Sequence, residues 1–223
     1  MKTVLLLAIS TIAMAVDAVF PGMNVHAAPF TDLRLQMSTS VPITTAEAAG
    51  VGYEAKQTFA PHLGVQLVHG VGYESLGVAL GLEIACDDHR GRVVAIGGSK
   101  VEPGTGHAEL RAATLGLLPK IVLRPSYGDP FEWGPGSVQL EIGPVVAAGV
   151  GQAWINGSDP SDSTLVLRWG ARFDLLWTAN SRWQGGLALA WEAVTASPSP
   201  DKQGKASISG EGFCAGLIFG RRM

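Results

Sequence analysis

Histidines, hydroxyls and carboxylates are the side chains from which this chain could build a hydrolytic centre. Its five histidines are His26, His62, His69, His89 and His107, with none beyond residue 107. A general base needs a nucleophile within hydrogen-bond reach. His107 with Ser158 or Ser207 would be the pairing for acyl transfer, but no motif surrounds it. Asp87, Asp88 and His89 are adjacent and read as a solvated turn rather than a metal set. The repeats "GVGYE" and "GVGYES" lack the G-x-x-x-x-G-K-[ST] pattern of a phosphate loop, so their glycines read as strand glycines. Cys86 and Cys214 have no CxxC spacing, and a bridge between them stays open. No catalytic centre, metal or cofactor is expected.

A second set of chemistry-bearing residues recurs at alternate positions: Asp32 and Arg34, Glu54 and Lys56, Glu109 and Arg111, then Glu141, Arg168, Arg172, Asp174 and Glu192. Two-residue spacing puts such side chains on one face of a strand. Five cations and six anions on the inner faces of a small barrel would neutralise one another as a plug. An ion-selective passage would be better served by one sign in excess.

The elements that would hold such a network are clearest in "LVLRWGARFDLLWTANSRWQGGLALAWEA", Leu165 to Ala193. Odd positions from Leu165 to Trp177 are wholly apolar; even positions carry Arg168, Arg172 and Asp174. The second half repeats the pattern from Trp183 to Trp191. A hairpin centred on Asn180 would set Trp177 opposite Trp183, Phe173 opposite Leu187, Trp169 opposite Trp191 and Arg168 opposite Glu192. Eight tilted strand residues span roughly 19 Å, so the four tryptophans would mark the two interfaces of a lipid-facing band. A soluble sandwich burying the same apolar face is the alternative.

Composition favours the membrane. Of 223 residues, 47% are hydrophobic, 16% are charged and 29 are glycine, with a net charge of −3. That charged fraction is low for a soluble domain and the net charge gives nucleic acid no purchase. Past the N-terminus no apolar run reaches the ~18 residues of a spanning helix, which leaves a closed β-barrel as the way across a bilayer. Residues 1–27 read as a signal peptide, with cleavage after Ala27 or, alternatively, Ala15.

Alternation elsewhere predicts eight strands at 30–40, 49–59, 63–73, 107–123, 137–154, 164–178, 183–195 and 207–219. The barrel domain is then 28–223, all-β, antiparallel and up-and-down, with both termini periplasmic. "APH" and "ANS" read as tight turns. Residues 74–106 read as a long extracellular loop, although 76–86 and 92–98 look like strands; if they span, the count is ten.

"GVGYEAKQTFAPHLGVQLVHGVGYESLG" and "LEIGPVVAAGVGQAW" resemble strands of small outer-membrane β-barrels of the OmpX/OmpW/opacity-protein type. The first carries an F-x-P-x-L-G turn. The second matches P-Y-V-G-A-G-V-G, with Pro144 and the run Ala148–Gly151 kept and Val145 in place of tyrosine. The resemblance implies a bacterial outer-membrane protein in contact with lipid and with the assembly machinery that reads terminal-strand aromatics, here Phe213 and Phe219. Gly-Arg-Arg-Met after Phe219 displaces that signal from the end. OmpW-like barrels imply passage of small hydrophobic molecules into the bilayer. Lipid A-modifying barrels imply a histidine–serine centre, whose His-x-Ser signature is absent. The expected role is structural or surface-interactive with an unnamed extracellular partner; the alternative is a narrow channel.

Overall fold

A computed structural model describes residues 28–48, 50–58, 60–73, 76–102, 106–124, 137–155, 163–179, 182–197 and 206–223. The signal-peptide segment 1–27 lies outside them. The described elements are all strands: β1 (Ala28–Thr39), β2 (Thr45–Ala48), β3 (Val51–Gln57), β4 (Pro61–Tyr73), β5 (Leu76–Ile96), β6 (Ser99–Lys100), β7 (His107–Leu123), β8 (Ser137–Ile155), β9 (Thr164–Thr178), β10 (Trp183–Ser197) and β11 (Ala206–Arg222). Antiparallel ladders run β1–β4–β5–β7–β8–β9–β10–β11, and β11 returns to β1. Eight strands therefore close a barrel without an edge, so each strand has a ladder on both sides. We call the end that carries Ala28 and Met223 the lower end.

The count of eight agrees with the sequence expectation, but two of its members are different. Segments 51–57 and 61–73 are not a hairpin around "APH". Both run antiparallel to β5, so they are consecutive pieces of one wall strand. Conversely, 76–96 is not an extracellular loop but one 21-residue strand, joined to β4 across residues 74–75. Gly77, Ala79, Gly81 and Ala85 face inward on β5 while Val78, Leu80, Leu82 and Ile84 face outward. Small apolar residues on the inner face had hidden the period of two.

The wall changes its composition of strands with height. β1 and β4 fill the slot between β11 and β5 below; the β2–β3 hairpin fills the same slot above. Gly50, with φ of 79°, makes the tight turn of that hairpin. Between the two, residues 40–44 cross the slot. Ile43 N–H donates to Arg90 O (3.3 Å), Thr44 N–H to Ser209 O (3.0 Å), and Ser40 N–H to Ala60 O (2.8 Å). The flanking strands make room with glycine: a Cβ on Gly210 would sit 2.0 Å from Pro42 O, and one on Gly91 2.6 Å from Ile43 O. Elsewhere the β7–β8 ladder keeps one register on both sides of a gap at 118–120 and 143–145. Pro119 and Pro144 there have no N–H to give.

The tryptophan hairpin keeps its predicted parity, but its register is displaced by two. Trp177 pairs with Gly185, Phe173 with Leu189 and Trp169 with Ala193. The cause is the turn. Ala179 N–H donates to Trp183 O and Arg182 N–H to Ala179 O, with Arg182 in the left-handed region at φ 65°. The ladder therefore ends at the pair Thr178 and Gln184 rather than closing around "ANS".

Candidate functional site

The inner wall of the lower barrel collects ionisable side chains from all eight wall strands into one connected chain. At its foot Arg222 Nε donates to Asp32 Oδ1 (2.9 Å), and Arg34 Nη2 to Asp32 Oδ2 (2.6 Å). Arg34 also grips Glu141 with both Nη atoms at 2.6 and 2.7 Å, the fork-on-carboxylate arrangement that fixes geometry as well as charge. Lys120 Nζ bridges Glu141 and Asp174, each at 2.7 Å. Arg172 then links Asp174 (2.7 Å) to Glu83 (3.3 Å). Arg168 continues from Glu83 to Asp87 (3.5 Å) and to Glu192 (3.6 Å), and Asp87 closes on His62.

Amides add further hydrogen bonds. Gln66 donates to Gln36 (2.7 Å) and Glu83 (2.6 Å), Gln184 to Asp32 (3.1 Å), and Gln139 to Glu141. These charges are buried. Burying ions is tolerable only when partners are close, and alternating signs along the chain supply them, while Arg34 Nε, Arg172 Nη2 and the Gln66 and Gln184 side-chain oxygens have no hydrogen-bond partner among the described residues.

Seven of the eleven predicted inner charges belong to this network: Asp32, Arg34, Glu141, Arg168, Arg172, Asp174 and Glu192. Because of the register shift, Arg168 meets Glu192 diagonally rather than face to face. The other four do not belong. Glu54 and Lys56 are exposed on the outer wall, while Tyr53 and Ala55 turn inward. Glu109 and Arg111 also face outward; Arg111 lies 3.5 Å from Glu109 and stacks 5.1 Å from the Trp154 ring centroid. All four sit in the upper barrel, where the outer wall is polar and the inner wall apolar.

Sequence reasoning missed Glu83, Asp87, His62, Lys120 and Arg222 as inner residues. Glu83 and Asp87 share the parity of Gly77, Ala79 and Gly81, a signal visible once 76–96 is taken as a strand. Lys120 is the lone charge among Thr114, Gly116, Leu118 and Val122 on the inner face of β7.

Above the ionic chain the interior becomes a packed apolar cluster. It includes Val41 and Ile43 of the crossing segment with Leu110, Val166, Val194 and Ile208. His89 Nδ1 meets Val41 O at 2.9 Å on the boundary between the two. The lumen is thus filled twice, by charge pairs below and by hydrocarbon above.

Outside, Leu33, Leu67, Ile84, Leu115, Val146, Phe173 and Leu187 form an exposed apolar wall, and Trp169, Trp177, Trp183 and Trp191 lie on it. Phe213 and Phe219 also face outward on β11. Cys86 is exposed and Cys214 buried; both are free thiols on opposite sides of the wall.

Catalytic geometry is weaker than the His62–Asp87 contact first suggests. Among the described residues nothing hydrogen-bonds His62 Nε2, so no hydroxyl is activated there. Thr31 Oγ1 and His69 Nδ1 are 2.8 Å apart, and among the described residues no carboxylate forms a hydrogen bond with that imidazole. Ser158 lies outside the described residues.

No protein-family model matches the chain, and no curated protein matches its sequence. Among solved structures, the chain is similar to the outer membrane protein OprG from Pseudomonas aeruginosa. The identity is 15%, with 89% of this chain and 98% of that one covered and a TM-score of 0.45. Neisserial surface protein A is similar at 12% identity over 84% and 95% of the two chains, with a TM-score of 0.35. Ail, the attachment invasion locus protein of Yersinia pestis, is similar at 10% identity over 87% and 99%, with a TM-score of 0.36. The chain is an all-β, antiparallel, up-and-down barrel of eight closed strands, an assignment that rests on its own ladders.

Proposed function

We propose that this chain is an integral barrel of the bacterial outer membrane with a structural or surface-interaction role and a closed lumen. One observation carries the reading: below residues 40–44 the wall is inside out. Apolar side chains such as Ile84 (67% exposed) and Phe213 (80% exposed) cover its outside, while Arg34, Glu83, Glu141 and Arg172 are buried within. In water such a wall would leave a large contiguous apolar surface exposed. In lipid that surface is solvated, and the closed ladders pair the backbones of neighbouring strands apart from the β7–β8 gap at Pro119 and Pro144.

The tryptophans then sit toward the interfaces, Phe213 and Phe219 offer terminal-strand aromatics to assembly machinery, and both termini are periplasmic. The double filling of the lumen favours a plug over the alternative of a narrow channel. Heated and unheated gel mobility of the mature chain in detergent micelles tests the barrel. A heat-dependent shift is expected; a folded protein that needs no detergent would overturn the membrane reading. Single-channel recording tests the plug, with no conductance steps expected.

A further inference from the structure

Just below the crossing segment, beside Thr39 and Pro61, the wall is indented by a groove of about 810 Å³ that reaches in as far as His62 and Asp87. Its lining is split by chemistry. Met37, Pro61, Leu63 and Cys86 supply an apolar floor, all four exposed. Asp88 and Arg111 stand at its charged margin, where the outer wall passes from hydrocarbon to charge. Asp88 Oδ2 accepts from Arg90 at 2.6 Å, but its Oδ1 is buried with no partner among the described residues, which is costly for a carboxylate oxygen. The Arg111 guanidinium is held by Trp154 and only loosely by Glu109, so it keeps donors free for an anion.

We propose that this groove is a binding site for a membrane lipid that carries a phosphate and a hydroxyl donor. An acyl chain lies over Met37, Leu63 and Cys86, the phosphate meets Arg111, and the headgroup hydroxyl donates to Asp88 Oδ1. The proposal rests on the membrane reading, because an indentation in a lipid-facing wall is filled by lipid. The volume is that of an ordinary small-molecule site, apolar with a few placed polar groups. What goes beyond general lipid contact is the pairing of one cation with one unsatisfied acceptor at the end of an apolar trough.

Native mass spectrometry of the refolded barrel supplies the test. Dimyristoyl phosphatidylglycerol, with phosphate and hydroxyls, is compared with dimyristoyl phosphatidylcholine, whose headgroup has no donor. Retention of the first over the second by about ten-fold is expected from one charge-assisted bond. Cys86→Trp and Leu63→Trp, which fill the trough, should each abolish retention. Asp88→Ala should remove the preference between the two lipids, and Arg111→Gln should weaken retention of both. Heat-dependent gel mobility of each variant separates a lost site from a lost barrel, and its failure in the parent chain would remove the membrane reading itself. Equal retention of the two lipids, retention that survives both tryptophan variants in a folded barrel, or a dimer that Cys86→Trp dissolves would each overturn the proposal.

Discussion

The lower and upper halves of the barrel share six through-running strands, β5 and β7 to β11, with opposite polarity. Along the outer face of β5, Leu80, Leu82 and Ile84 give way to Asp88, Arg90 and Arg92; along its inner face, Glu83 and Asp87 give way to Gly91, Val93 and Ala95. β7 repeats the exchange. Leu115, Leu117 and Ile121 face outward with Lys120 inside, whereas Glu109 and Arg111 face outward with Ala108, Leu110 and Ala112 inside. The period of two never breaks on these strands; what changes, on the proposed membrane reading, is the medium outside. In that reading the exterior solvent below is hydrocarbon, so the ions turn inward and pair, and above it is water, so the ordinary rule of burying hydrocarbon returns. The crossing segment 40–44 marks the boundary, with Val41 and Ile43 already in the apolar cluster and Ser40 Oγ still donating to Asp88 O (2.7 Å).

Four substitutions would break or sharpen this contrast. The largest effect is expected from Glu141→Ala in the lower interior, which strands Arg34 and Lys120 without their shared carboxylate. A loss of about 3–5 kcal/mol is expected, read as the shift in urea midpoint of the refolded barrel. A loss below about 1 kcal/mol would mean that the network is solvated.

Leu110→Ala in the upper interior should cost about 2–5 kcal/mol by leaving a cavity, and the cost should not change with the detergent used. Phe173→Arg on the lower exterior should cost about 2–4 kcal/mol at mid-depth in a bilayer. That penalty should shrink in vesicles of thinner lipid, which brings the site nearer an interface. If Leu110→Ala depended on lipid thickness and Phe173→Arg did not, the two halves would have been assigned the wrong way round. Smallest of all is Glu109→Ala on the upper exterior, expected within about 0.5 kcal/mol because its pairs with His107 and Arg111 are long and solvent-facing.

Much of the fold was legible in the chain. Trp169, Phe173, Leu175 and Trp177 announced one apolar face, and Arg168, Arg172 and Asp174 a charged one. Both faces are where their parity put them. The errors have specific causes. Glu54, Lys56, Glu109 and Arg111 obey the same alternation, but they were assigned inward because apolar was equated with outward everywhere, a rule valid only below residues 40–44. Glu83 and Asp87 were hidden because β5 is apolar on both faces for most of its lower half. The two-residue register displacement depends on Arg182 accepting a left-handed conformation that its residue type does not advertise.

Alternation along each strand was determined by the sequence alone. It follows from local geometry, in which each residue faces away from its neighbours whatever the partner strand. Which segments share one strand, which face of β3 and upper β7 points inward, and which cation meets which carboxylate were decided only when the barrel closed. Those outcomes depend on contacts between residues as far apart as Arg34 and Glu141, or Arg222 and Asp32. They depend equally on the medium at each height of the wall, which no single stretch of sequence specifies.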